Sequence, residues 1–202
     1  MSRWPYFVIA FSWAAASLCS RQLAAALPTS LAENRGFSDR LIIAQNAERR
    51  SLGLRPLRWD RQLEDAASAY ATTLAVTGNW QHSAIASRRA QGENLWMGTH
   101  GAFTVEQMTD GWIAEKRMFR PGIFPNVSST GRWEDVGHYT QVIWADTDRI
   151  GCGLRSSRDY DYLVCRYAQA GNVIGQNVMP ARSSTTSVPR THGRSSIPAR
   201  IA

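Results

Sequence analysis

Two histidines and two glutamates occur in segments that are otherwise rich in apolar and aromatic residues. His82 lies in NWQHS, Glu93 in GENLW and His138 in GHYTQVIW, while Glu115 lies in a predicted helix. Imidazole and carboxylate groups together can bind a divalent cation or exchange protons with a substrate. Because a buried polar group without a partner costs about 1–3 kcal/mol, we expect these four side chains to share one polar site.

Glu115 is placed on the apolar side of its predicted helix. At about 100° per residue, it falls within a stripe of apolar residues that recur at helical spacing. The stripe consists of Val105, Met108, Trp112 and Phe119. A glutamate on the core-facing side of a helix needs a partner. The alternative is that Glu115 lies at the edge of the stripe and reaches water.

Three helices are predicted before the GHYTQVIW segment. The first runs from Ser38 as N-cap to Gly53 as its C-terminal stop, and the second starts at Asp60 as N-cap. The third opens at Thr104, where Gln107 completes a capping box. These helices must position the acidic partners of the histidines.

Three strands are predicted after the helices, at residues 139–145, 149–156 and 161–168. This pattern places His138 at the entrance of the first of these strands. Helices followed by antiparallel strands indicate an α+β fold in which the helices pack on a sheet.

Cys152 and Cys165 are predicted to form a disulfide across a hairpin. If Arg158 and Asp159 form the hairpin tip, period-2 alternation places the two cysteines opposite each other on one face. The same register pairs Ile150 with Tyr167 and Leu154 with Leu163. Such a bridge contributes about 3 kcal/mol and forms in an oxidising compartment. The alternative is a pair of free buried thiols.

The N-terminal segment has the pattern of a secretory signal. Arg3 is followed by an apolar run from Tyr6 to Cys19, which is shorter than the roughly 20 residues that span a bilayer. We predict a signal peptide at residues 1–26, with cleavage near 24–26 or near 14–16, and a minor alternative of lipidation at Cys19. The protein is therefore expected to be secreted, extracellular or periplasmic, with no transmembrane segment after signal removal.

The remaining chain is predicted to be one folded domain at residues 37–175 and a disordered basic tail at 176–202. The chain has 202 residues and a net charge of +7, and much of that charge is in the tail and the leader. The folded part is nearly balanced and has no basic stripe interleaved with aromatic residues. Nucleic-acid binding is therefore not expected.

Several segments resemble the CAP superfamily of cysteine-rich secretory, antigen 5 and pathogenesis-related proteins, which is built on the SCP domain. GHYTQVIWADT matches the main signature of the family, and YLVCRYAQAGNV matches a second, with Gln169 as its one departure. GENL is a third, weaker match. QNAER resembles the family's helix motif, but with Gln45 where histidine is typical.

The resemblance implies a three-layer α-β-α sandwich with a mainly antiparallel sheet. It also implies a cleft lined by a tetrad that corresponds to His82, Glu93, Glu115 and His138. In this hypothesis the two imidazoles ligate a divalent cation such as Zn²⁺ weakly, while the glutamates orient the rings or bind through water. Binding is expected to weaken below about pH 6 as imidazoles become protonated. Lipid, sterol or protein ligands are further partners that the resemblance implies.

Two other interpretations of the same residues stay open. In the first interpretation, the cleft belongs to a secreted hydrolase or protease, with Ser83 beside His82. The GxSxG and HExxH motifs are, however, missing from the sequence. In the second, the His and Glu side chains only hold helix and strand together. The first predicts turnover of a substrate, and the second predicts stability that does not respond to metal.

Overall fold

The computed structural model describes residues 36–179. In this part of the chain the helices are α1 (Phe37–Ser51), α2 (Arg61–Thr77), α3 (Val105–Ala114) and α4 (Gly137–Val142). The strands are β1 (Arg58–Trp59), β2 (Gly92–Thr99), β3 (Arg149–Ser156) and β4 (Tyr160–Ala168).

The strands form one sheet in the order β1-β3-β4-β2. Strand β1 runs parallel to β3, and the other two pairings are antiparallel, so the sheet is mixed. One face packs against α1 and α3, and the opposite face packs against α2. The first core contains Leu41, Met108, Trp112, Cys165 and Tyr167, and the second contains Ala67, Ala71, Leu74, Tyr162 and Val164. The predicted α+β class and three-layer α-β-α sandwich are confirmed.

The β3–β4 hairpin has the predicted register. Ile150 lies opposite Tyr167, Cys152 opposite Cys165 and Leu154 opposite Leu163, and the two cysteines are bonded. Both faces of β4 are buried, which explains why its apolar residues are continuous rather than alternating. The disulfide ties the two central strands together.

The helix caps confirm two of the three predicted starts. Asp60 accepts hydrogen bonds from the backbone N–H groups of Gln62 and Leu63, and Thr104 forms a complete capping box with Gln107. The first helix instead begins at Phe37 with Gly36 as N-cap, so the start predicted at Ser38 was two residues late.

The prediction of a strand at residues 139–145 was wrong. Gly137–Val142 is a short helix, and His138 lies in its first turn rather than at a strand entrance. Without alternation, a short apolar run does not distinguish a buried strand from a buried helix. The strand that lies beside β4 at this edge of the sheet is β2, which was not predicted from the sequence. It pairs with β4 over its whole length.

The third predicted helix is shorter than its apolar stripe. Helix α3 ends at Ala114, and Glu115–Arg117 forms a 3₁₀ turn. Phe119 therefore lies beyond the helix, where it packs beside Tyr139 with ring centroids 5.3 Å apart.

The ordered chain continues past the predicted domain end at residue 175. Val178 is fully buried, and its carbonyl accepts a hydrogen bond from the backbone N–H of Ala145. The described chain thus extends four residues beyond the predicted end of the domain. The predicted signal peptide and the rest of the tail lie outside the described residues. Within residues 36–179 no helix has the length and hydropathy to cross a membrane.

Replacing Gly111 by alanine is expected to raise the free energy of unfolding by about 0.5–1 kcal/mol. Gly111 is a solvent-exposed residue in the middle of α3, where glycine is less favourable than alanine. A Cβ there meets Trp96 at an ordinary distance of 3.9 Å. Denaturant unfolding monitored by circular dichroism measures the change.

Gly53→Ala is the matched control, because Gly53 has φ +72° although its Cβ would meet open space. That variant is expected to lose stability. A loss of stability in Gly111→Ala as well would contradict the packing described for α3.

Candidate functional site

His82 and Glu93 form the first imidazole–carboxylate pair. His82 lies in the connection after α2, and Glu93 is the second residue of β2. Nδ1 of His82 donates to Oε1 of Glu93 at 2.7 Å, and the backbone N–H of Ser83 donates to the same oxygen at 3.0 Å. The Glu93 side chain is 0% exposed, whereas that of His82 is 50% exposed. The carboxylate thus holds a ring that faces solvent.

The second oxygen of Glu93 binds a buried arginine and a serine. Oε2 accepts from Oγ of Ser83 at 2.8 Å and lies 2.9 Å from Nη2 of Arg166. Burial alone raises the pKa of Glu93, but the hydrogen bond from His82, the charge of Arg166 and the bonds from Ser83 outweigh it. The net pKa is below the usual range, so Glu93 is an anchored anion.

His138 and Glu115 form the second pair. Nδ1 of His138 donates to Oε1 of Glu115 at 2.6 Å, and the backbone N–H of Tyr139 donates to Oε2 at 3.0 Å. Trp112 stacks on the imidazole, with ring centroids 6.1 Å apart and planes 17° apart. Glu115 directly follows α3 and His138 opens α4, so the pair joins the ends of two helices.

The two pairs have the same chemistry. In each, a carboxylate fixes Nδ1 of the imidazole and also accepts a backbone N–H, which leaves Nε2 as the nitrogen that can coordinate a cation. A carboxylate that orients a histidine through its far nitrogen is the usual outer shell of a protein metal site. Each pair therefore presents one imidazole nitrogen, Nε2, that its carboxylate does not occupy.

A polar chain connects the two pairs. Asn94, the neighbour of Glu93 in β2, donates to the backbone carbonyl of His138 at 3.1 Å and to the hydroxyl of Tyr167 at 3.3 Å. The hydroxyl of Tyr167 in turn donates to Gln45 at 3.0 Å. These bonds hold the start of β2 to the first turn of α4.

Helix α4 also approaches β2 closely at Gly92. A Cβ on Gly92 would lie 2.0 Å from Oε1 of Gln141, which accepts from the backbone N–H of Gly171. Gln141 thus satisfies a backbone N–H group outside its own helix. A side chain at position 92 would push the Gln141 amide aside and break its hydrogen bond with Gly171.

A cavity of about 440 Å³ opens beside the first pair. His82 and Glu93 line it together with Trp133, Gln141 and Asn172. His138 and Glu115 are not among its lining residues. A larger hollow of about 670 Å³ lies at residues 53–55, 145–146 and 175–177 and contains no member of either pair.

The four predicted site residues therefore come together as two pairs rather than as one compact cluster. Among residues 36–179, no group of three or more His, Cys, Asp or Glu side chains is arranged to hold a metal ion.

Several residues that organise the site were not singled out as site residues from the sequence. Arg166 is a charge within the apolar run of β4, and that position was a usable signal. Glu48 accepts a hydrogen bond from the hydroxyl of Tyr139 at 2.9 Å, and it lies within the QNAER segment. Arg49 is fully buried and donates to the carbonyls of Val142, Trp144, Thr147 and Arg55. It fixes the segment that follows α4.

Comparisons with known proteins agree with this architecture. The profile of the "CAP: Cysteine-rich secretory protein family" matches residues 42–167. Pathogenesis-related protein 1C of Nicotiana tabacum is 33% identical over 66% of this chain and 76% of its own length. The human Golgi-associated plant pathogenesis-related protein 1 is 30% identical over 72% of this chain and 94% of its own. A crystal structure of NaASP2 with Zn²⁺ has a TM-score of 0.58 and 22% identity, and the match covers 69% of this chain and 83% of that one.

Proposed function

The chain belongs to the cysteine-rich secretory protein (CAP) family, and we propose that it is a secreted binding protein in which His82 and His138 hold a divalent cation. One observation carries the proposal. Each imidazole is fixed through Nδ1 by a carboxylate that also holds a backbone N–H, so both rings offer Nε2 in a set orientation.

Zinc suits this donor set because it accepts neutral imidazole nitrogen at about 2.0–2.1 Å. Glu93 and Glu115 act as orienting groups rather than as ligands, because their oxygens are already engaged. Since structural zinc sites have four protein ligands, two nitrogens and water give only modest affinity. NaASP2, a protein of similar fold, has a crystal structure with Zn²⁺.

Secretion is supported by the disulfide. A bonded Cys152–Cys165 pair is typical of proteins that fold in an oxidising compartment. The predicted signal peptide at 1–26 supplies the route. Lipid, sterol or protein ligands are further partners that we infer from family membership.

The contacts of Ser83 do not favour the hydrolase hypothesis. Its hydroxyl donates to Glu93 and accepts from Arg166, while Nδ1 of His82 faces Glu93. A nucleophilic serine needs the imidazole within hydrogen-bond reach of its own oxygen. We therefore propose binding rather than hydrolysis.

Calorimetric titration with zinc tests the proposal. Wild-type protein is expected to release heat at a single site, and a His82→Ala/His138→Ala double variant is expected to release none. Zinc at about 100 times its dissociation constant should stabilise the wild type by about 2.7 kcal/mol, which appears as a higher melting temperature.

His100→Ala is the matched control, because His100 also forms an imidazole–carboxylate pair, with Asp161 at 2.7 Å, outside the site. That variant should bind zinc as the wild type does. Equal heats from the wild type and the double variant would overturn the proposal. A melting temperature that falls in His138→Ala but never responds to zinc would instead establish a purely structural role.

A further inference from the structure

The lining of the cavity beside His82 contains one positively charged side chain, Arg88, that no acidic side chain of the lining balances. Its charged lining residues are Arg88 and Glu93, in addition to His82. Glu93 is already engaged on both oxygens, and its negative charge is balanced by Arg166 at 2.9 Å. Arg88 is therefore left without an acidic counterpart in this lining.

Arg88 is also incompletely hydrogen-bonded. Its Nε atom is buried and has no hydrogen-bond partner among the described residues, and the same is true of Nε of Arg166. Desolvation is the main cause that lowers the pKa of Arg166, and the charge of Arg88 lowers it further. The charge of Arg88 thus adds to that of Arg166, whose carboxylate partner is Glu93, and this favours a second anion nearby.

Apolar side chains flank this positive group. Ile85, in the 3₁₀ turn Ile85–Arg88, is 81% exposed, and Trp133 is 41% exposed, and both line the cavity. Trp133 packs edge to face against Phe124, with ring centroids 5.3 Å apart. A ligand in the cavity would bury these surfaces.

Two of the three side-chain amides in the lining are already used within the protein. Gln141 donates to Thr147 and accepts from Gly171, and Asn172 donates to Gly137 and accepts from Thr140. They do not supply the main recognition group. The charge of Arg88 and the apolar flanks therefore determine which ligand fits.

We propose that this cavity binds an organic carboxylate that carries an apolar group next to the acid, with the carboxylate on Arg88 and the apolar group between Ile85 and Trp133. Its volume of about 440 Å³ lies within the range of small-molecule sites. The carboxylate belongs either to a small free acid or to the C-terminal residue of a peptide. The inference rests on the cleft of the proposed function, for which it names the ligand class, but binding through Arg88 does not require the metal.

Nuclear magnetic resonance titration of the full chain with matched probes tests the inference. The small-acid probes are 3-phenylpropionate and its neutral amide, and the peptide probes are an acetylated tetrapeptide ending in phenylalanine, as free acid and as C-terminal amide. Wild-type protein is expected to bind at least one acid about tenfold more tightly than its amide. The acid that binds identifies the source of the carboxylate.

Arg88→Gln should remove this preference by weakening the acid about tenfold, while the amide is unaffected. Arg89→Gln is the matched control, because Arg89 is exposed, adjacent and not part of the lining. Equal binding of acid and amide by the wild type, or an unchanged preference in Arg88→Gln, would overturn the inference.

The same samples separate this inference from the proposed function. If zinc binding releases heat but the acids bind no more tightly than their amides, the carboxylate proposal is wrong and the cation proposal stands. If an acid binds more tightly than its amide but zinc releases no heat, the carboxylate proposal stands and the cation proposal is wrong.

Discussion

Replacing Glu93 with glutamine is expected to lower the free energy of unfolding by about 3–5 kcal/mol, because it leaves Arg166 as a buried charge without a counterion. Side chains of both residues are almost inaccessible, at 0% and 5% exposure. Glutamine has the same shape but a single acceptor oxygen, so it cannot serve His82, Ser83 and Arg166 together. Urea unfolding measured at pH 7 gives the difference directly.

The effect of Glu93 on stability should depend on pH. The folded-state pKa of Glu93 is lowered, so its stabilisation is fully present above its unfolded pKa, about 4.3, and is lost as the pH falls through the folded value. The gap between wild type and Glu93→Gln should therefore be constant above about pH 5 and shrink below about pH 4.

Glu106→Gln is the matched control for this substitution. Glu106 also pairs with an arginine, Arg40, but the two side chains are 44% and 30% exposed. An ion pair at the surface contributes about 0–1 kcal/mol, so the control should lose little. Equal losses in the two variants would show that burial of the Glu93–Arg166 pair has no energetic consequence.

Gly151→Ala is expected to destabilise the fold by at least about 3–5 kcal/mol, because α2 lies directly on β3 at this residue. A Cβ on Gly151 would lie 2.2 Å from the backbone nitrogen of Glu64 and 2.5 Å from the carbonyl oxygen of Asp60. Both are backbone atoms at the start of a helix, which cannot rotate away as a side chain can. Thermal unfolding is the measurement, and most of the protein should fail to show a cooperative transition.

Gly36→Ala provides the comparison, since a Cβ there meets nothing within 4 Å and the backbone has an ordinary φ of −61°. That variant should stay within about 0.5 kcal/mol of the wild type. A stable Gly151→Ala protein would mean that α2 does not pack on the sheet as described.

The hairpin could be predicted from the sequence because its information is local. Alternation and the two cysteines fix a register in which a slip by one residue would turn every side chain to the other face. The structure confirms the pairing of Cys152 with Cys165. The caps at Asp60 and Thr104 were predictable for the same reason, since each is determined by residues within one helical turn.

The segment after residue 137 was mispredicted because its conformation depends on distant contacts. Arg49, 93 residues away from Val142, donates to the carbonyl of that last residue of α4. Val142, Ile143 and Trp144 are almost fully buried, so burial shows no period of two. A sequence pattern cannot distinguish these states when the stabilising partner comes from α1.

The candidate site was only partly predictable. The sequence shows four polar side chains in segments that are otherwise apolar. Such side chains need partners, and the structure pairs His82 with Glu93 and His138 with Glu115. Their arrangement as two separate pairs was not visible, because it depends on how β2 and α4 pack. Arg88 was missed, because an arginine in a polar loop has no feature that distinguishes it from a solvated one.

One cation held between the two imidazoles through their Nε2 atoms is the central proposal. Crystals soaked in zinc, with diffraction recorded on both sides of the zinc absorption edge, test it directly. We expect one anomalous peak about 2.0–2.1 Å from Nε2 of both His82 and His138, with Nδ1 of each ring still bonded to its glutamate. A peak bound to a single ring, a peak on Nδ1, or no peak between the rings would contradict it.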